Sequence, residues 1–269
     1  MTRFDLNGRT ALITGAGSGI GQALAKELSR RGCALALADI RPDRLEETAA
    51  DVGRADTSTH VLDVADRDAV ASLPQKIADR HGGLDILVNN AGIAAGGRFD
   101  ELSEAEFDRV MEINFNGPVR MVRAFLPMLK GAAEARIVNL SSLYGLISPP
   151  GQSAYSASKF ALRGFSNVLA NELAGSSVGI TVIHPGGVAT NIAKDASYPE
   201  GATPDRVARN REKFERFLRL PPEEAARTIA EGIARRKRRV LVGNDSKMLS
   251  LLERLAPVTH YSLVERLMR

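Results

Sequence analysis

Tyr155, Lys159 and Ser142 are the residues of this chain whose types and spacing could perform chemistry. Lys159 follows Tyr155 by four positions, and Ser142 precedes Tyr155 by thirteen. A four-residue interval on a helix places two side chains on one face. A phenol and a lysine amine both titrate near pH 10, but a fixed ammonium favours the phenolate and lowers the pKa of the phenol. The pair is therefore predicted to be an acid/base device, provided that an oxidisable substrate lies nearby.

The spacing alone also fits a surface tyrosine packed over a lysine stem, so neighbouring motifs must decide. The first predicted strand ends in a glycine-rich turn of pattern T-G-x-x-x-G-x-G, formed by Thr14, Gly15, Gly19 and Gly21. Glycines allow backbone N–H groups to approach a pyrophosphate, and a helix amino end favours the negative charge. Such a turn could be a structural elbow, but its position between a strand and a helix favours a nucleotide site.

An acidic residue follows at the end of the next predicted strand. Asp39 lies twenty residues after Gly19, where a carboxylate accepts hydrogen bonds from ribose hydroxyls and repels a 2′-phosphate. Ser18 and Ile40 are uncharged and supply no basic partner for such a phosphate. Arg41 is the one nearby cation that could bend back toward it. The sequence thus predicts NAD, with NADP the alternative.

The elements that must position these residues alternate between short apolar runs and helical patterns. Strands are predicted over Thr10–Thr14, Ala34–Asp39, Thr57–Leu62, Leu84–Asn89, Ala135–Ser141, Gly179–His184 and Val240–Val242. Helices are predicted over Gly19–Arg31, Asp43–Val52, Asp66–Arg80, Ser103–Leu129 and Ala154–Leu173. This alternation predicts an α/β fold, a Rossmann-type doubly wound parallel sheet of about seven strands in a single domain spanning residues 1–269.

Two segments depart from the alternation. Residues 187–222 are rich in charge, glycine and proline, and predict a substrate lid with a helix at Val207–Leu218. Residues 245–269 predict a helical carboxyl-terminal extension, with an apolar set of Leu249, Leu251, Leu252, Leu255, Val264, Leu267 and Met268. That extension could pack against the domain or a second subunit, cover an apolar substrate site, or touch a membrane surface.

Composition limits the remaining classes of function. The chain has 269 residues, 44% hydrophobic and 25% charged, typical of an ordinary soluble domain. It has no apolar run of the roughly 18 residues of a membrane span and no apolar signal core at its start, which predicts a cytoplasmic protein. Cys33, the single cysteine, is predicted to be a buried apolar residue, and no metal-ligand spacing stands out. The net charge of +4 derives partly from Arg235–Arg239, interpreted as a solvated helix end and not a nucleic-acid site.

Taken in order, the motifs resemble the short-chain dehydrogenase/reductase family over nearly the whole chain, to about Val242. The matching motifs are Thr14-Gly15-x-x-x-Gly19-x-Gly21, Asn89-Asn90-Ala91-Gly92, Asn114, Ser142, Tyr155-x-x-x-Lys159 and Pro185-Gly186. The resemblance implies that Tyr155 is the acid in carbonyl reduction and the base in alcohol oxidation. Lys159 would lower its pKa and hold the nicotinamide ribose, and Ser142 would bind the substrate oxygen. Asn114 would anchor a water relay to the lysine.

The resemblance also implies the cofactor contacts. The Asp63-Val64 pair would contact the adenine, and Asn90, Ala91 and Gly92 would line its ribose. Val188 and Thr190, after Pro185-Gly186, would bind the nicotinamide carboxamide. The implied cofactor set is Gly15, Ser18, Gly19, Ile20, Gly21, Asp39, Asp63, Val64, Asn90, Ala91, Gly92, Tyr155, Lys159, Pro185, Gly186, Val188 and Thr190.

The expected reaction is hydride transfer between NAD and a hydrophobic secondary alcohol or ketone, without a metal. Apolar candidates to line the substrate site are Leu143, Tyr144, Leu146, Ile147, Ile93, Ala94, Gly187 and the lid from Ile192 onward. An NAD-using epimerase or dehydratase and a non-catalytic nucleotide-sensing scaffold are the alternatives; a scaffold is expected to have lost a catalytic residue. The family resemblance further implies a homodimer or homotetramer packed through Ser103–Leu129 and Ala154–Leu173.

Overall fold

The protein folds around a seven-stranded, fully parallel sheet in the order β3-β2-β1-β4-β5-β6-β7. The computed structural model describes residues 3–262, so Val264, Leu267 and Met268 of the predicted extension lie outside the described residues. The strands are β1 Thr10–Thr14, β2 Ala34–Asp39, β3 Thr57–Val61, β4 Ile86–Asn89, β5 Ala135–Leu140, β6 Val178–Pro185 and β7 Arg239–Val242. The predicted doubly wound α/β class is confirmed.

Helices cover both faces of this sheet. They are α1 Gly19–Arg30, α2 Pro42–Val52, α3 Arg67–His81, α4 Glu104–Met111, α5 Gly117–Gly131, α6 Ser153–Glu172, α7 Pro204–Glu215, α8 Pro222–Ala234 and α9 Asn244–Leu255. Side chains of β2 alternate between two cores, as a strand buried on both faces requires. Leu35 and Leu37 join the core beneath α1 and α8, whereas Ala36 and Ala38 join the core beneath α3 and α5.

The predicted helical stretch Ser103–Leu129 is helical throughout, from the cap at Ser103 to Gly131, but it is not a uniform α-helix. It is divided by a π-helical turn, Glu112–Asn116, between α4 and α5. Pro118 stands at the start of α5, where the missing N–H of proline cannot continue the hydrogen-bond ladder of the preceding helix. The wider turn buries Asn114 completely.

The carboxyl ends of the strands open into one large cleft of about 1510 Å³. The chain leaves β1 toward β2 and β3 on one side and continues with β4 on the other, so the strand order reverses between β1 and β4. Ligands of open α/β sheets bind outside the carboxyl ends of the strands at such a point. The topology therefore directs attention to the loops after β1, β4, β5 and β6.

The lid segment leaves and rejoins the sheet at one place. Val188 and Leu220 form an isolated parallel bridge, with the Ala189 N–H donating to the Leu220 carbonyl at 2.8 Å. The lid helix begins earlier than the predicted Val207, because Thr203 caps its first turn and Pro204 occupies its first position. It ends at Glu215, before the predicted Leu218.

The structure shows where the basic run Arg235–Arg239 and the single cysteine lie. Arg235 caps α8, Arg236 pairs with Glu134 at 2.7 Å, and Arg238 donates to Asn171, so the basic run is engaged locally at a helix end. Cys33 is fully buried. Within residues 3–262, the helices are too short or too polar to span a bilayer.

Candidate active site

Ser142, Tyr155 and Lys159 meet at the base of the cleft. Ser142 follows β5, and both other residues lie on α6 with exposed fractions of 7% for Tyr155 and 4% for Lys159. The Lys159 Nζ atom lies 5.6 Å from the centre of the Tyr155 ring and donates to the Leu140 carbonyl at 3.0 Å. Helical spacing therefore brings the ammonium beside the phenol, inside the protein and not on its surface.

Burial shifts the pKa of Tyr155 in the direction opposite to the one predicted from the sequence. Desolvation raises the pKa of Tyr155 to about 12, opposed by a hydrogen bond with the Ser142 hydroxyl. Desolvation also lowers the pKa of Lys159 to about 8. The expected net lowering of the phenol pKa is therefore wrong for the chain alone, because burial of the phenolate outweighs the hydrogen bond with Ser142.

The two adjacent serines differ in what they contact. The Ser141 hydroxyl donates to the Lys159 carbonyl at 2.9 Å and is buried against α6. The Ser142 hydroxyl lines the cleft and accepts from the Tyr144 N–H at 3.1 Å. Alternation along an extended backbone thus directs Ser142 to the reacting side and Ser141 away from it.

Asn114 is held in a buried hydrogen-bond cluster by the π-helical turn. Its Oδ1 accepts from the Ile93 N–H at 2.8 Å, and its Nδ2 donates to the Ile93 carbonyl at 2.9 Å and to Ser158 Oγ at 3.1 Å. A Cβ at Gly92 would stand 3.1 Å from Asn114 Oδ1 and 3.4 Å from Lys159 Nζ. The glycine therefore leaves open the space between the asparagine and the lysine.

The turn after β1 has the form that a pyrophosphate cradle requires. Gly15 and Gly19 adopt φ values of +64° and +55°, a region that favours glycine. Asn90 ties the turn from below, donating through Nδ2 to the Thr14 and Gly15 carbonyls at 2.9 Å. A Cβ at Gly21 would collide with the Gly15 carbonyl, so Gly21 permits the turn to pack on α1 but is not itself part of the cleft wall.

The acidic residue at the end of β2 faces the same turn. Asp39 accepts from the Gly17 N–H at 2.9 Å and from the Arg41 N–H at 3.0 Å. The Arg41 guanidinium turns outward to form two bonds with Asp43, at 3.1 and 2.8 Å. Arg44, which the sequence analysis missed, lines the cleft and lies 3.7 Å from Asp195. Its position in the first turn of α2, after an acidic strand end, was the available signal.

The remaining predicted cofactor residues surround this cradle. Asp63 accepts from the Ala65 N–H at 2.8 Å, which fixes the loop after β3. On the opposite side, a Cβ at Gly19 would lie 2.9 Å from Thr190 Cγ2, so the loops after β1 and β6 approach closely. The predicted residues that line the cleft are Gly15, Ser18, Gly19, Ile20, Asp39, Asp63, Val64, Asn90, Ala91, Gly92, Pro185, Gly186, Val188 and Thr190.

The profile of the family described as short chain dehydrogenase matches residues 9–201. The chain belongs to this family. The chain is similar to the Mycobacterium tuberculosis protein named as the oxidoreductase SadH, with 41% identity over 98% of this chain and 96% of that protein.

Two solved structures share the fold and carry different cofactors. A short-chain dehydrogenase/reductase from Burkholderia phymatum in complex with NAD is 31% identical, has a TM-score of 0.86, and covers 94% of this chain and 95% of its own. A metagenomic short-chain oxidoreductase in complex with NADP is 27% identical, has a TM-score of 0.72, and covers 89% and 98%. Relatives of this short-chain dehydrogenase therefore bind either NAD or NADP.

Beyond Tyr155, the cleft of this short-chain dehydrogenase is mainly apolar. Leu143, Tyr144, Ile147, Ile93, Ala94, Gly187 and Ile192 line it as predicted, whereas Leu146 is buried behind them against Leu143 and Ile147. The first described part of the extension supplies a further wall: Met248, Leu249, Leu251, Leu252 and Leu255 of α9. Phe214, Phe217 and Leu218, which lie in the predicted lid, complete it. Of the three roles considered for the extension, covering an apolar site fits the described residues of α9.

Proposed function

We propose that this short-chain dehydrogenase transfers hydride between NAD and a hydrophobic secondary alcohol or ketone, with Tyr155 as the acid/base. The observation that carries the proposal is the burial of Tyr155 and Lys159 beside Ser142 at the base of a cleft whose other end is a glycine cradle. Titratable groups with strongly shifted pKa values in a large cleft are typical of reaction centres.

The residues divide the work as follows. A bound nicotinamide supplies or accepts the hydride. Tyr155 gives the proton to the substrate oxygen during ketone reduction and removes it during alcohol oxidation. Ser142 donates a hydrogen bond to the same oxygen, which stabilises the charge that develops there. Lys159 holds the nicotinamide ribose and favours the phenolate when its ammonium is charged.

A proton route to the interior is consistent with the contacts of Asn114. Its Oδ1 and the Lys159 Nζ both border the space that Gly92 leaves open. Asn114 itself cannot move because three hydrogen bonds to Ile93 and Ser158 fix its amide. We assign Asn114 to holding a water that passes protons between Lys159 and solvent.

Charge near the adenosine end supports NAD as the cofactor. The Asp39 carboxylate lies at the carboxyl end of β2 and would accept from ribose hydroxyls but repel a 2′-phosphate. Arg41, the cation that might have offset it, is engaged with Asp43. Arg44 also lines the cleft, and its guanidinium lies 3.7 Å from the Asp195 carboxylate. NADP is therefore the less favoured cofactor.

The chemistry of the substrate follows from the apolar wall around Tyr155. Leu143, Ile147, Phe217 and the apolar residues of α9 all line the cleft. Such a surface favours a substrate with a bulky aliphatic, aromatic or steroid-like body.

Helix α6 offers a surface for the homodimer or homotetramer expected of the family, since its Phe160 and Val168 side chains remain 36% and 55% exposed.

The Tyr155→Phe variant tests the assignment of the acid/base. Removing the hydroxyl should lower kcat by about 10²–10⁴-fold on a panel of hydrophobic secondary alcohols, while the affinity for NAD stays nearly constant. Tyr144→Phe is the matched control, since its ring meets that of Tyr155 edge to face at 6.1 Å and also lines the cleft. Wild-type turnover in Tyr155→Phe would refute the proposal. Turnover that neither consumes nor releases NADH would instead favour an epimerase or dehydratase.

A further inference from the structure

Asp245, in the first turn of α9, forms a hydrogen bond with the loop that follows β6. Asp245 Oδ2 accepts from the Gly187 N–H at 2.7 Å, and its Oδ1 accepts from the Ser246 N–H at 2.8 Å. The carboxylate also lines the cleft. One acidic side chain thus connects the carboxyl-terminal helix to a segment 58 residues earlier in the chain.

Glycines on both sides of the Asp245 carboxylate leave the space that it occupies. A Cβ at Gly186 would collide with both carboxylate oxygens of Asp245, and a Cβ at Gly243 would collide with Oδ1. Gly243 also adopts a φ of +92°, which favours glycine. Gly187 is equally confined, since a Cβ there would collide with the Phe217 carbonyl. The loop after β6 can therefore approach Asp245 and Phe217 this closely only because residues 186, 187 and 243 are glycines.

The adjacent residue fixes the end of β6 itself. Ser246 is fully buried, and its hydroxyl donates to the His184 carbonyl at 2.8 Å. The His184 ring is buried as well, and Nδ1 lies 2.9 Å from the Ser142 carbonyl, to which it must donate because a carbonyl only accepts. Burial lowers the pKa of His184 to about 4, so the ring stays neutral at physiological pH. Asp245 therefore anchors the loop after β6, and Ser246 anchors the end of β6, from which the His184 ring holds the Ser142 carbonyl.

We propose that Asp245 is a positioning residue for the cofactor, holding the Gly186–Gly187 backbone so that Val188 and Thr190 face the nicotinamide end of the cleft. The inference rests on the proposed function only in that the cleft binds NAD. A hydrogen bond from a backbone N–H to a carboxylate is stronger than one to a neutral acceptor. Without it, the Gly187 N–H loses its partner while the backbone bonds to Leu220 remain, so more of the ordering of the loop falls to the cofactor, which costs affinity.

The test measures NAD⁺ binding to the full-length protein by isothermal titration calorimetry in wild type, Asp245→Ala, Asp245→Asn and Asp66→Ala. Asp66 is the matched control: it also accepts from two backbone N–H groups, those of Asp68 and Ala69, but it lies outside the cleft. Asp245→Ala should weaken binding by about 10- to 100-fold, as expected for a lost charge-assisted hydrogen bond. Asp245→Asn, which keeps an acceptor, should weaken it less, and Asp66→Ala should leave it unchanged.

Hydrogen exchange gives a second readout that does not depend on turnover. The amides of residues 187–190 should exchange faster in cofactor-free Asp245→Ala than in wild type, while Asp66→Ala should not change them. The assignment is overturned if Asp245→Ala binds NAD⁺ as wild type does, or if Asp66→Ala loses as much affinity. Failure of the proposed function looks different, since wild type itself would then bind neither NAD⁺ nor NADP⁺, or Tyr155→Phe would keep its activity.

Discussion

Replacing Lys159 by methionine is expected to stabilise the cofactor-free protein at neutral pH while removing its activity. The lysine is 4% exposed, and burial lowers its pKa from 10.5 to about 8. The folded chain therefore holds this proton less tightly than the unfolded chain. Below about pH 8 the lysine is charged in both states, and the cost of burying the ammonium opposes folding in full. Above about pH 10.5 it is neutral in both, and the cost disappears.

The size of the stability change follows from the difference between the folded and unfolded pKa values of Lys159. At about 1.4 kcal/mol per pH unit, the shift of Lys159 corresponds to about 3 kcal/mol of the free energy of unfolding. The variant also loses the hydrogen bond to the Leu140 carbonyl, worth about 1 kcal/mol at every pH. Lys159→Met should therefore be about 2 kcal/mol more stable than wild type at pH 7 and about 1 kcal/mol less stable at pH 10.5.

Urea unfolding of both proteins without cofactor, at intervals from pH 6.5 to 10.5, measures this difference, and subtraction cancels the titration of groups common to both. Lys130→Met, which removes an exposed lysine on α5, should change stability by less than about 0.5 kcal/mol at either end of the range. A stability difference between wild type and Lys159→Met that stays constant with pH would refute the reasoning that burial of the charged form dominates at this site.

Three further outcomes are expected. Asp39→Ala should lower the ratio of kcat/KM for NAD to that for NADP by about tenfold or more, because the repulsion of a 2′-phosphate is removed. Glu47→Ala, which removes an exposed carboxylate of α2 outside the cleft, is the control, and an unchanged ratio in Asp39→Ala would exclude the role given to Asp39. Gly19→Ala should weaken NAD binding by about tenfold or more, because its left-handed backbone costs a side chain about 1–2 kcal/mol and the Cβ would press on Thr190. Titration with NAD⁺ checks this, and normal affinity would contradict it. Light scattering should give the mass of two or four chains, and a monomer at micromolar concentration would oppose the oligomer.

The sequence predicted the central strands of the sheet well because they are buried on both faces. Runs such as Ile86–Asn89 and Thr10–Thr14 are short, apolar and bounded by turns, which leaves few other structures open to them. The grouping of Ser142, Tyr155 and Lys159 was likewise predictable, because the residue order and the helical interval fix it once the sheet is parallel.

What could not be predicted depends on packing between distant segments. The π-helical turn at Glu112–Asn116 adds one residue to a helix without disturbing its apolar pattern enough to reveal it. The direction of the Tyr155 pKa shift depends on the depth of burial, which spacing does not report. The hydrogen bond from the Gly187 N–H to Asp245 joins residues far apart in sequence, and an isolated aspartate at a helix start does not predict such a contact.

The lid has both of its ends fastened at a single point of the scaffold. The Gly187 carbonyl accepts from the Arg219 and Leu220 N–H groups at 2.8 and 2.9 Å, so the chain returns to where it left after about thirty residues. The cost of closing such a loop rises only slowly with its length. The tip of the lid can therefore be lengthened, shortened or exchanged with that of a relative, while the hydrogen bonds to the Gly187 carbonyl keep both ends of the lid in place. On the proposed function, such an exchange would alter the part of the substrate wall formed by Phe214, Phe217 and Leu218 and would leave Ser142, Tyr155 and Lys159 in place.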